Sequence, residues 1–576
     1  MIRFDGDYLH DCNANWYDLR MILPQRFFLP LQKINLPIGL LCLIALVSSG
    51  CQAGGSAKGA LDLEEDTLAI EERLSPIRGS LMLRSGMVDG YTAEIFFRLG
   101  EGVEGKFLLL SDSRSSNMPA TRALVEAGRC REFVVDATDS FMSSERIRAL
   151  VNATGVWVSA DFANHTDRAI LRDLLEAVMR RGGVVGGSGG GLSTLVDVLA
   201  ENGTASSGLG LLPGAIVGVG NEDASDRLKL ETAVAERPGS VGWGLPEDCV
   251  MVVYAGRRVG FLGSGEGYAV IPERGGWPAR VAVVDAERKD TVATTLPYQY
   301  DLISWNRSAL DRLGPVFPAE DSLTPSVANG TLLIYGGNRT TDTMWDRFIE
   351  SAGGKDANFV CIPTAGRTEE YIDDTASFGY RALKQRGCEN VRVLHTHRRA
   401  RANADETLID CLENADGVWI GGGRTYRMMD AYERTRVHEM LKGVLDRGGA
   451  IAGSSAGAQV QGDFLVRGDP RNNVDPIVFD GYLRGLGLIE GVIIDAHFSQ
   501  RKRQVPFSAL IDTYPQMLGI GIDENTGLII RGSGAEVVGE FNVTFYDHSG
   551  THKRAAVLAA GDRYDLAKRR ELERDN

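Results

Sequence analysis

Two glycine-rich segments of this chain match one another, and this repeat constrains the fold more than any other feature. The later segment is Gly448–Gln459 (GGAIAGSSAGAQ), and the earlier one is Gly182–Ser193 (GGVVGGSGGGLS). Each is a short apolar run that ends in small residues, which is typical of a strand turning sharply into a helix. The later turn carries Ser455 at its apex, whereas the matching position of the earlier turn is Gly189.

Further matches follow in the same order along the two halves of the chain. The paired segments are Lys106–Ser111 with Asn358–Pro363, Cys130 with Cys388, Gly155–Val158 with Gly417–Ile420, Gly208–Leu211 with Gly485–Leu488, and Tyr300–Leu302 with Tyr564–Leu566. A repeat of this length indicates a duplicated domain and not an array of short repeats. The chain of 576 residues is long enough for two such domains.

Both halves alternate short β-branched runs with amphipathic stretches. In the second half the apolar runs are TLLIYGG, NFVCIP, NVRVLH, GVWIGG and GAIAG, and Thr343–Ala352 has the spacing of a helix with one apolar face. We therefore predict an α/β fold of two tandem domains, each a mainly parallel sheet covered by helices on both faces. Such sheets carry their sites at the carboxyl ends of the strands, where Gly421–Gly423 and Gly453–Gly457 fall.

The amino-terminal segment has the features of an export signal. Pro37–Val47 is apolar but too short to span a bilayer, and it follows Arg26 and Lys33. Cys51 follows small residues and resembles the lipidation site of a bacterial lipoprotein. We expect a protein exported to the periplasm or beyond the cell, with a lipid on Cys51 as its only link to a membrane. The predicted boundaries are 1–51 leader, 52–77 polar tether, 78–302 first domain, 303–328 linker and 329–576 second domain.

Composition narrows the range of partners. The net charge of −15 argues against a nucleic-acid surface, because neutralising phosphates requires clustered lysine and arginine. The cysteines beyond the leader are scattered and contain no CxxC pair, so neither a disulfide framework nor a zinc site is indicated. Cys361, within an apolar run, is predicted to be a core residue.

The second half carries the elements of nucleophilic catalysis. Ser455 lies in a G-x-S-x-G sequence, whose small residues allow the strained turn that exposes a hydroxyl. A serine nucleophile needs a base, and the base needs an orienting group. His497 ends an apolar run and is the candidate base, while Glu524 follows another apolar run and is the candidate carboxylate.

Three motifs together resemble the signature of cyanophycinase: GSSAGA around Ser455, DAHFSQRKR at Asp495–Arg503, and GIDEN around Glu524. That family consists of serine peptidases related to peptidase E, built on a class I glutamine-amidotransferase-like (flavodoxin-like) fold. The resemblance covers about Asn329–Leu566. It implies that Ser455 is the nucleophile, His497 the general base and Glu524 its orienting carboxylate.

The resemblance also implies an oxyanion hole, a substrate and the groups that bind it. Backbone N–H groups of Ala456 and of Gly422 or Gly423 would hold the oxyanion. The family's substrate is cyanophycin, a poly-aspartate backbone with arginine on each β-carboxyl, which is released as β-Asp-Arg dipeptides. The residues expected to bind it are Arg424, Asp495, Gln500, Arg501 and Arg503. No metal or organic cofactor is implied.

Departures from the family pattern keep other substrates and other classes of protein open. Arg424 stands where the family usually has glutamine, Ala496 replaces a glutamine, and Pro506 stands where an arginine is common. A peptidase E-like aspartyl dipeptidase would therefore fit as well. An α/β-hydrolase esterase would need the order serine, acid, histidine, for which Asp512 or Asp523 with His548 is the best candidate set. A glutamine amidotransferase is disfavoured, because it would carry cysteine where this chain has Ser455. A binding protein without catalytic activity is the remaining alternative.

The first half lacks the groups that catalysis requires. Gly189 stands for Ser455 and Gly220 for His497, while Glu247 stands for Glu524. We predict that this half cannot catalyse acyl transfer. Our hypothesis is that it packs on the active half as one subunit of a dimer packs on another, with a homodimer of the active half as the alternative.

Overall fold

The computed structural model describes residues 79–573 apart from 102–104, 116–120, 137–138, 140–142, 202–203, 221–223, 287–297, 370–371 and 473–476. The chain divides into two compact units, Met1–Leu63 and Glu64–Asn576, and the fold below is that of the second. The predicted leader, Cys51 and tether lie outside the described residues. None of the helices in the described ranges has the length and apolar character needed to cross a bilayer.

The first half alternates strands with helices and ends in a run of strands and one further helix. Its strands are β1 (Ser80–Arg84), β2 (Phe107–Ser111), β3 (Cys130–Val134), β4 (Gly155–Val158), β5 (Val184–Ser188), β6 (Val198–Glu201), β7 (Thr204–Ser207), β8 (Ala215–Val219), β9 (Val241–Leu245), β10 (Cys249–Tyr254), β11 (Arg258–Gly263), β12 (Glu266–Ile271), β13 (Arg280–Asp285) and β14 (Tyr300–Asp301). Its helices are α1 (Gly90–Leu99), α2 (Arg122–Glu126), α3 (Ser144–Asn152), α4 (Arg168–Arg180), α5 (Gly190–Leu195), α6 (Ala224–Ala235) and α7 (Leu302–Asp311).

The second half repeats this alternation. Its strands are β15 (Val327–Tyr335), β16 (Phe359–Ile362), β17 (Val391–Val393), β18 (Gly417–Ile420), β19 (Ala450–Ser454), β20 (Gly462–Phe464), β21 (Ile489–Ala496), β22 (Leu518–Ile522), β23 (Thr526–Gly532), β24 (Gly534–Gly539), β25 (Asn542–Asp547), β26 (Arg554–Ala559), β27 (Arg563–Asp565) and β28 (Arg570–Leu572). Its helices are α8 (Asp342–Ser351), α9 (Phe378–Gln385), α10 (Arg399–Ala404), α11 (Glu406–Glu413), α12 (Thr425–Tyr432), α13 (Arg436–Asp446), α14 (Ala456–Gln459) and α15 (Gln504–Thr513).

The two halves share their strand order. The larger sheet of the first half runs β14-β11-β10-β1-β5-β4-β2-β3, and that of the second half, read from its other edge, runs β28-β27-β24-β23-β15-β19-β18-β16-β17. Position by position these orders correspond, with β28 as the extra strand. The smaller sheets, β13-β12-β9-β8-β6-β7 and β26-β25-β22-β21-β20, also correspond apart from β7. The paired segments Lys106–Ser111 with Asn358–Pro363 and Gly155–Val158 with Gly417–Ile420 therefore include equivalent strands, whereas Gly208–Leu211 and Gly485–Leu488 lie outside any strand.

The α/β prediction is confirmed, and the parallel part of the second half carries the motifs. Strands β15, β19, β18, β16 and β17 pair in parallel, whereas β23, β24, β27 and β28 extend the sheet in antiparallel fashion. The register sets Tyr335 opposite Ser454 and Ile420 opposite Gly453. The ends of β15, β18 and β19 therefore meet at one edge of the sheet, where open α/β sheets bind their ligands.

Helices cover both faces of this sheet. On one face α8 buries Met344, Trp345, Phe348 and Ile349, the residues that give the predicted helix its apolar side. The ring of Trp345 stacks on Trp419 with centroids 4.2 Å apart. Helices α11, α12 and α13 bury their apolar residues on the opposite face, against the alternate residues of the same strands. This alternation follows from the two-residue period of a strand.

The structure corrects the linker predicted at 303–328. Its first part belongs to α7, and every residue of Leu302–Asp311 is buried. This helix packs against the second half, where Ser304 Oγ donates to Asp480 O at 2.7 Å. The polar residues of this segment led to the prediction of an exposed linker. They are nevertheless buried, because the second half supplies hydrogen-bond partners for them. Within the predicted linker, residues 312–326 contain neither helix nor strand.

Candidate active site

Ser455 occupies a sharp turn between β19 and α14. Its backbone has φ 56° and ψ −117°, a conformation that non-glycine residues rarely adopt. The glycines on either side are required by close packing, because a Cβ at Gly453 would lie 2.1 Å from Gly457 O, and one at Gly457 would lie 2.2 Å from Ile420 O. The turn therefore has the geometry of a nucleophile elbow.

Three loops bring a hydroxyl, an imidazole and a carboxylate into one hydrogen-bonded chain. Ser455 Oγ lies 2.8 Å from His497 Nε2, and His497 Nδ1 lies 2.7 Å from Glu524 Oε1. His497 follows β21 and Glu524 follows β22, and these parallel strands are in register at Ala496 and Ile522. The structure thus joins the three residues that the sequence motifs singled out.

The imidazole of His497 is held from several sides. Its backbone N–H donates to Gly336 O at 2.8 Å, and the residue is 8% exposed. Gly337 packs against the ring so closely that a Cβ there would lie 2.3 Å from His497 Cε1. Sequence reasoning missed both glycines, although their position directly after β15 in the YGG sequence was the available signal.

The surroundings of His497 suit it to act as a base at neutral pH. Burial lowers its pKa from the ordinary value of a histidine, while the hydrogen bond to Glu524 opposes that shift. A neutral ring whose Nδ1–H donates to Glu524 leaves Nε2 free to accept the proton of Ser455. The carboxylate therefore selects the useful tautomer.

Gln500 connects the loops that carry His497 and Glu524. Its side-chain Oε1 accepts the backbone N–H of Glu524 at 3.0 Å, and Gln500 itself is exposed. Thr526 Oγ1 donates to the carbonyl oxygen of Glu524 at 3.2 Å. Both backbone groups of Glu524, its N–H and its carbonyl oxygen, are thereby hydrogen-bonded.

The glycine loop after β18 lies beside the nucleophile. A Cβ at Gly422 would lie 3.2 Å from Ser455 Cβ and 3.7 Å from its Oγ. Gly423 has φ 147°, and a Cβ there would lie 2.1 Å from Ala365 O. On the other side of the hydroxyl, Ala456 begins α14 and is 2% exposed. Of the residues predicted for the oxyanion hole, Gly422 and Ala456 therefore border Ser455, while Gly423 packs against Ala365.

Asp495 and Arg503 are a correction to the predicted substrate contacts. Asp495 is fully buried, and its carboxylate accepts from Gln459 Nε2 at 2.9 Å, Arg467 Nη2 at 2.9 Å and Arg503 Nη1 at 2.5 Å. Arg503 is 4% exposed and also donates to Ala496 O. These side chains are buried supports of the site and do not contact the substrate, because their charged groups are already paired with one another and with Arg467. Residue types in a motif do not distinguish a buried pair from an exposed one.

Among the predicted substrate contacts, Gln500 is exposed but accepts from Glu524 N, and the guanidinium groups that reach solvent are those of Arg424 and Arg501. Both residues are exposed. Arg501 donates its backbone N–H to His497 O at 3.1 Å, and Arg424 directly follows Gly423 and precedes α12. The rim of the site therefore presents guanidinium groups, which bind carboxylates well.

The geometry does not support the alternative order of serine, acid and histidine. Asp523 is committed to backbone groups, accepting from Ser499 N at 2.9 Å and from Asn542 N at 3.3 Å. His548 Nδ1 lies 2.8 Å from Asp512 Oδ1. The imidazole that meets the nucleophile is His497.

The first half keeps the shape of the elbow without its chemistry. Gly189 has φ 54° and ψ −125°, close to the values of Ser455, at the same turn between a parallel strand and a short helix. Gly220 replaces the imidazole, and Glu247 follows β9 as Glu524 follows β22. A built Cβ at Gly189 meets nothing within 4 Å, so the position of the nucleophile is open space.

Across the described ranges, no group of three or more His, Cys, Asp or Glu side chains is arranged to hold a metal ion. The cysteines there, Cys130, Cys249, Cys361, Cys388 and Cys411, are free thiols. Cys361 is fully buried in the core, as predicted.

Comparison with known proteins agrees with this geometry. The sequence model of peptidase family S51 matches residues 332–538. The chain is 30% identical over 271 residues to the cyanophycinase of Trichormus variabilis. The match covers 43% of this chain and 89% of that relative. Peptidase E of Actinobacillus pleuropneumoniae is 23% identical over 224 residues, 36% of this chain and 88% of the relative. A solved peptidase from an acI-B1 Actinobacterium is 24% identical, with a TM-score of 0.34, and covers 42% of this chain and 98% of its own. Because the match to the first relative spans most of that protein, this chain belongs to peptidase family S51 and is a serine peptidase.

Proposed function

We propose that this peptidase is an exopeptidase that hydrolyses cyanophycin to β-Asp-Arg dipeptides through Ser455, His497 and Glu524. The observation that carries the proposal is the continuous chain of hydrogen bonds, 2.8 Å from Ser455 Oγ to His497 Nε2 and 2.7 Å from His497 Nδ1 to Glu524 Oε1. These distances lie within the range over which a base can take a proton from a nucleophile.

The reaction follows from this arrangement. Ser455 Oγ attacks the scissile carbonyl carbon while His497 Nε2 takes its proton, and Glu524 stabilises the imidazolium that forms. The oxyanion accepts hydrogen bonds from the N–H of Ala456 and from that of Gly422 or Gly423. Each such donor contributes about 10²–10³ in rate. His497 then protonates the leaving amine, and water, deprotonated by the same imidazole, releases the acyl group from Ser455.

The rim of the site supports an aspartyl substrate. Arg424 and Arg501 are exposed beside the glycine loop and beside His497. A planar guanidinium pairs with a carboxylate through two parallel hydrogen bonds, which also fixes its orientation. Poly-aspartate carries a carboxylate at the end of the chain, and the relatives named cyanophycinase and peptidase E share the family.

One observation favours an aspartyl dipeptidase as the second candidate. Arg424 adds an exposed cation directly after Gly423. A substrate that carries arginine on every residue would bring like charge to this rim, whereas a short aspartyl peptide would not. The two candidates use the same three catalytic residues and differ in the substrate.

Product analysis distinguishes the candidates. The full chain would be incubated with cyanophycin, with β-Asp-Arg and with α-aspartyl dipeptides, and the products would be separated and weighed by mass spectrometry. Release of β-Asp-Arg from the polymer is the expected result. Cleavage of the dipeptides alone would identify the dipeptidase, and a folded protein that hydrolyses none of them would contradict the proposal.

The pH dependence of kcat/KM should report the pKa of His497. Because the base must be neutral and burial lowers its pKa, we expect the acid limb to have its midpoint below about pH 6.5, the ordinary value. In Glu524→Gln the negative charge that raises this pKa is lost, so the midpoint should move further down. The same change should lower kcat by about 10²–10⁴-fold. A midpoint that rises in this variant would argue against the assigned pair.

A further inference from the structure

Helix α12 connects the glycine loop to the rest of the protein. The helix begins at Thr425, directly after Gly421–Gly423 and Arg424. At this end Arg424 N donates to Ala365 O at 2.9 Å, and Thr425 Oγ1 donates to Arg467 O at 2.8 Å. A helix moves as a rigid element over so short a length, so a shift of α12 would move the loop beside Ser455.

An arginine of the first half binds α12 near its carboxyl end. Arg257, in the turn between β10 and β11, donates through Nη1 to Asp430 Oδ2 at 2.6 Å. Its Nε donates to Asp301 Oδ2 at 2.6 Å, and its Nη2 donates to Tyr482 Oη at 2.7 Å. The hydroxyl of Tyr482 in turn donates to Asp430 Oδ1 at 2.6 Å. Both carboxylate oxygens of Asp430 are thereby engaged.

The same guanidinium also covers the side of the helix. Its carbon lies 4.7 Å from the centroid of the Tyr426 ring, one turn before Asp430. The side chains of Arg257 and Asp430 are 16% and 13% exposed, so the pair is largely shielded from water. Arg257 therefore contacts α12 near its beginning and near its end.

A second arginine of the first half holds the end of the helix. Arg307 of α7 is 4% exposed and donates through Nη1 to Met429 O at 3.4 Å and through Nη2 to Glu433 Oε2. Its Nε donates to Gly481 O at 2.6 Å. The position of α12 is thus fixed jointly by both halves of the chain, with Arg399 of the second half donating to Asp430 O and Glu433 O.

We infer that Arg257 is a positioning residue for the reaction: through Asp430 and Tyr426 it fixes α12, and α12 holds the glycine loop at the distance from Ser455 that the oxyanion requires. The inference rests on the proposed function, in which Gly422 or Gly423 supplies an oxyanion donor. It assigns the half that lacks a nucleophile a part in completing the active site of the other half.

Arg257→Met in the full chain tests this role. We expect kcat to fall about ten- to a hundred-fold, as for the weakening of one oxyanion donor, while KM changes less than about two-fold. The rate at which a fluorophosphonate labels Ser455 should fall by the same factor, since that reaction also develops charge on the oxygen in the hole. The pH midpoint of kcat/KM should stay at the wild-type value, because the surroundings of His497 are unchanged.

Arg280→Met is the matched control. The Arg280 side chain is 15% exposed, pairs with Asp480 of the second half and donates to Ser304 of α7, and these partners lie outside α12. It should weaken the interface without changing the labelling rate. Equal losses of activity in the two variants, or wild-type labelling in Arg257→Met, would overturn the inference.

A milder variant covers the case in which Arg257→Met does not fold. Asp430→Asn keeps the shape of the side chain and its hydrogen-bonding oxygen but removes the charge that pairs with Arg257. It should lower the labelling rate about three- to ten-fold, less than Arg257→Met, because hydrogen bonds remain. An unchanged rate in Asp430→Asn would overturn the inference. Labelling of the wild-type chain at Ser455 separates this outcome from a failure of the proposed function, in which the wild type would not label.

Discussion

Ser455→Ala is expected to lower kcat by about 10⁴–10⁶-fold, because the variant has no oxygen to attack the substrate. The residual rate would come from substrate binding and from the oxyanion donors. Alanine keeps the Cβ of serine at φ 56°, so the backbone of the elbow should not change. Turnover of the substrate identified by product analysis measures the loss, and fluorophosphonate labelling should disappear with it.

Ser454→Ala provides the control for this measurement. Ser454 is the preceding residue, ends β19 and is partly buried, so it shares the local environment of Ser455. Its removal should change kcat by less than about ten-fold, since no proton is transferred to or from it. If Ser454→Ala lost activity and Ser455→Ala kept it, the nucleophile would be misassigned.

Ser455→Gly extends the same comparison to stability. A serine at φ 56° and ψ −117° is strained, whereas glycine adopts this conformation freely, as Gly189 does at φ 54° in the first half. We expect Ser455→Gly to be inactive and about 1 kcal/mol more stable than Ser455→Ala in urea unfolding. Equal stability would mean that the elbow relaxes in another way.

The candidate site could be predicted from sequence because each catalytic group lies in a short local pattern. G-x-S-x-G defines its own turn, and His497 and Glu524 each follow an apolar run that forms a buried strand. Parallel neighbours place their carboxyl ends at one edge, so groups at strand ends meet even when the chain separates them.

The supporting contacts could not be predicted in this way. Arg467 pairs with Asp495 across a loop, and its own position has φ 60°, which no motif indicates. Whether Arg503 is exposed or buried depends on that pairing. The antiparallel strands β23 and β24 have the same apolar character as the parallel ones, since composition reports burial and not direction.

Helix α7 shows the same limit at the level of domains. Its polar residues and the prolines after it are typical of a linker, but Arg307 is buried against Glu433 of the other half. A buried charge is stable only with a partner, and here the partner is distant in sequence. The residues that form the interface between the halves could therefore not be predicted from the sequence alone.

The fragment 329–576, expressed without the first half, is expected to fail to fold stably and to lose activity. It contains the three proposed catalytic residues but lacks the first-half partners of Asp430, Glu433 and Asp480. Leaving a buried charge unpaired costs about 3–5 kcal/mol. Losses at these three sites would be comparable with the roughly 5–15 kcal/mol of net stability typical of a folded protein. Apolar surface would also be exposed in the cluster that Trp277 of the first half shares with Phe464 and Leu483 of the second.

A longer fragment, 298–576, distinguishes the causes of this loss. It restores β14 and α7, and with them the contacts of Arg307 and Arg312 with Glu433 and Asp480, but it still lacks Arg257. We expect it to be more soluble and more resistant to urea than 329–576, yet to label at Ser455 more slowly than the full chain. Circular dichroism, urea midpoints and fluorophosphonate labelling would be compared for the three proteins. A fragment 329–576 as stable and as active as the full chain would mean that the second half folds and positions its glycine loop without the first, because its buried carboxylates would then have found water or other partners.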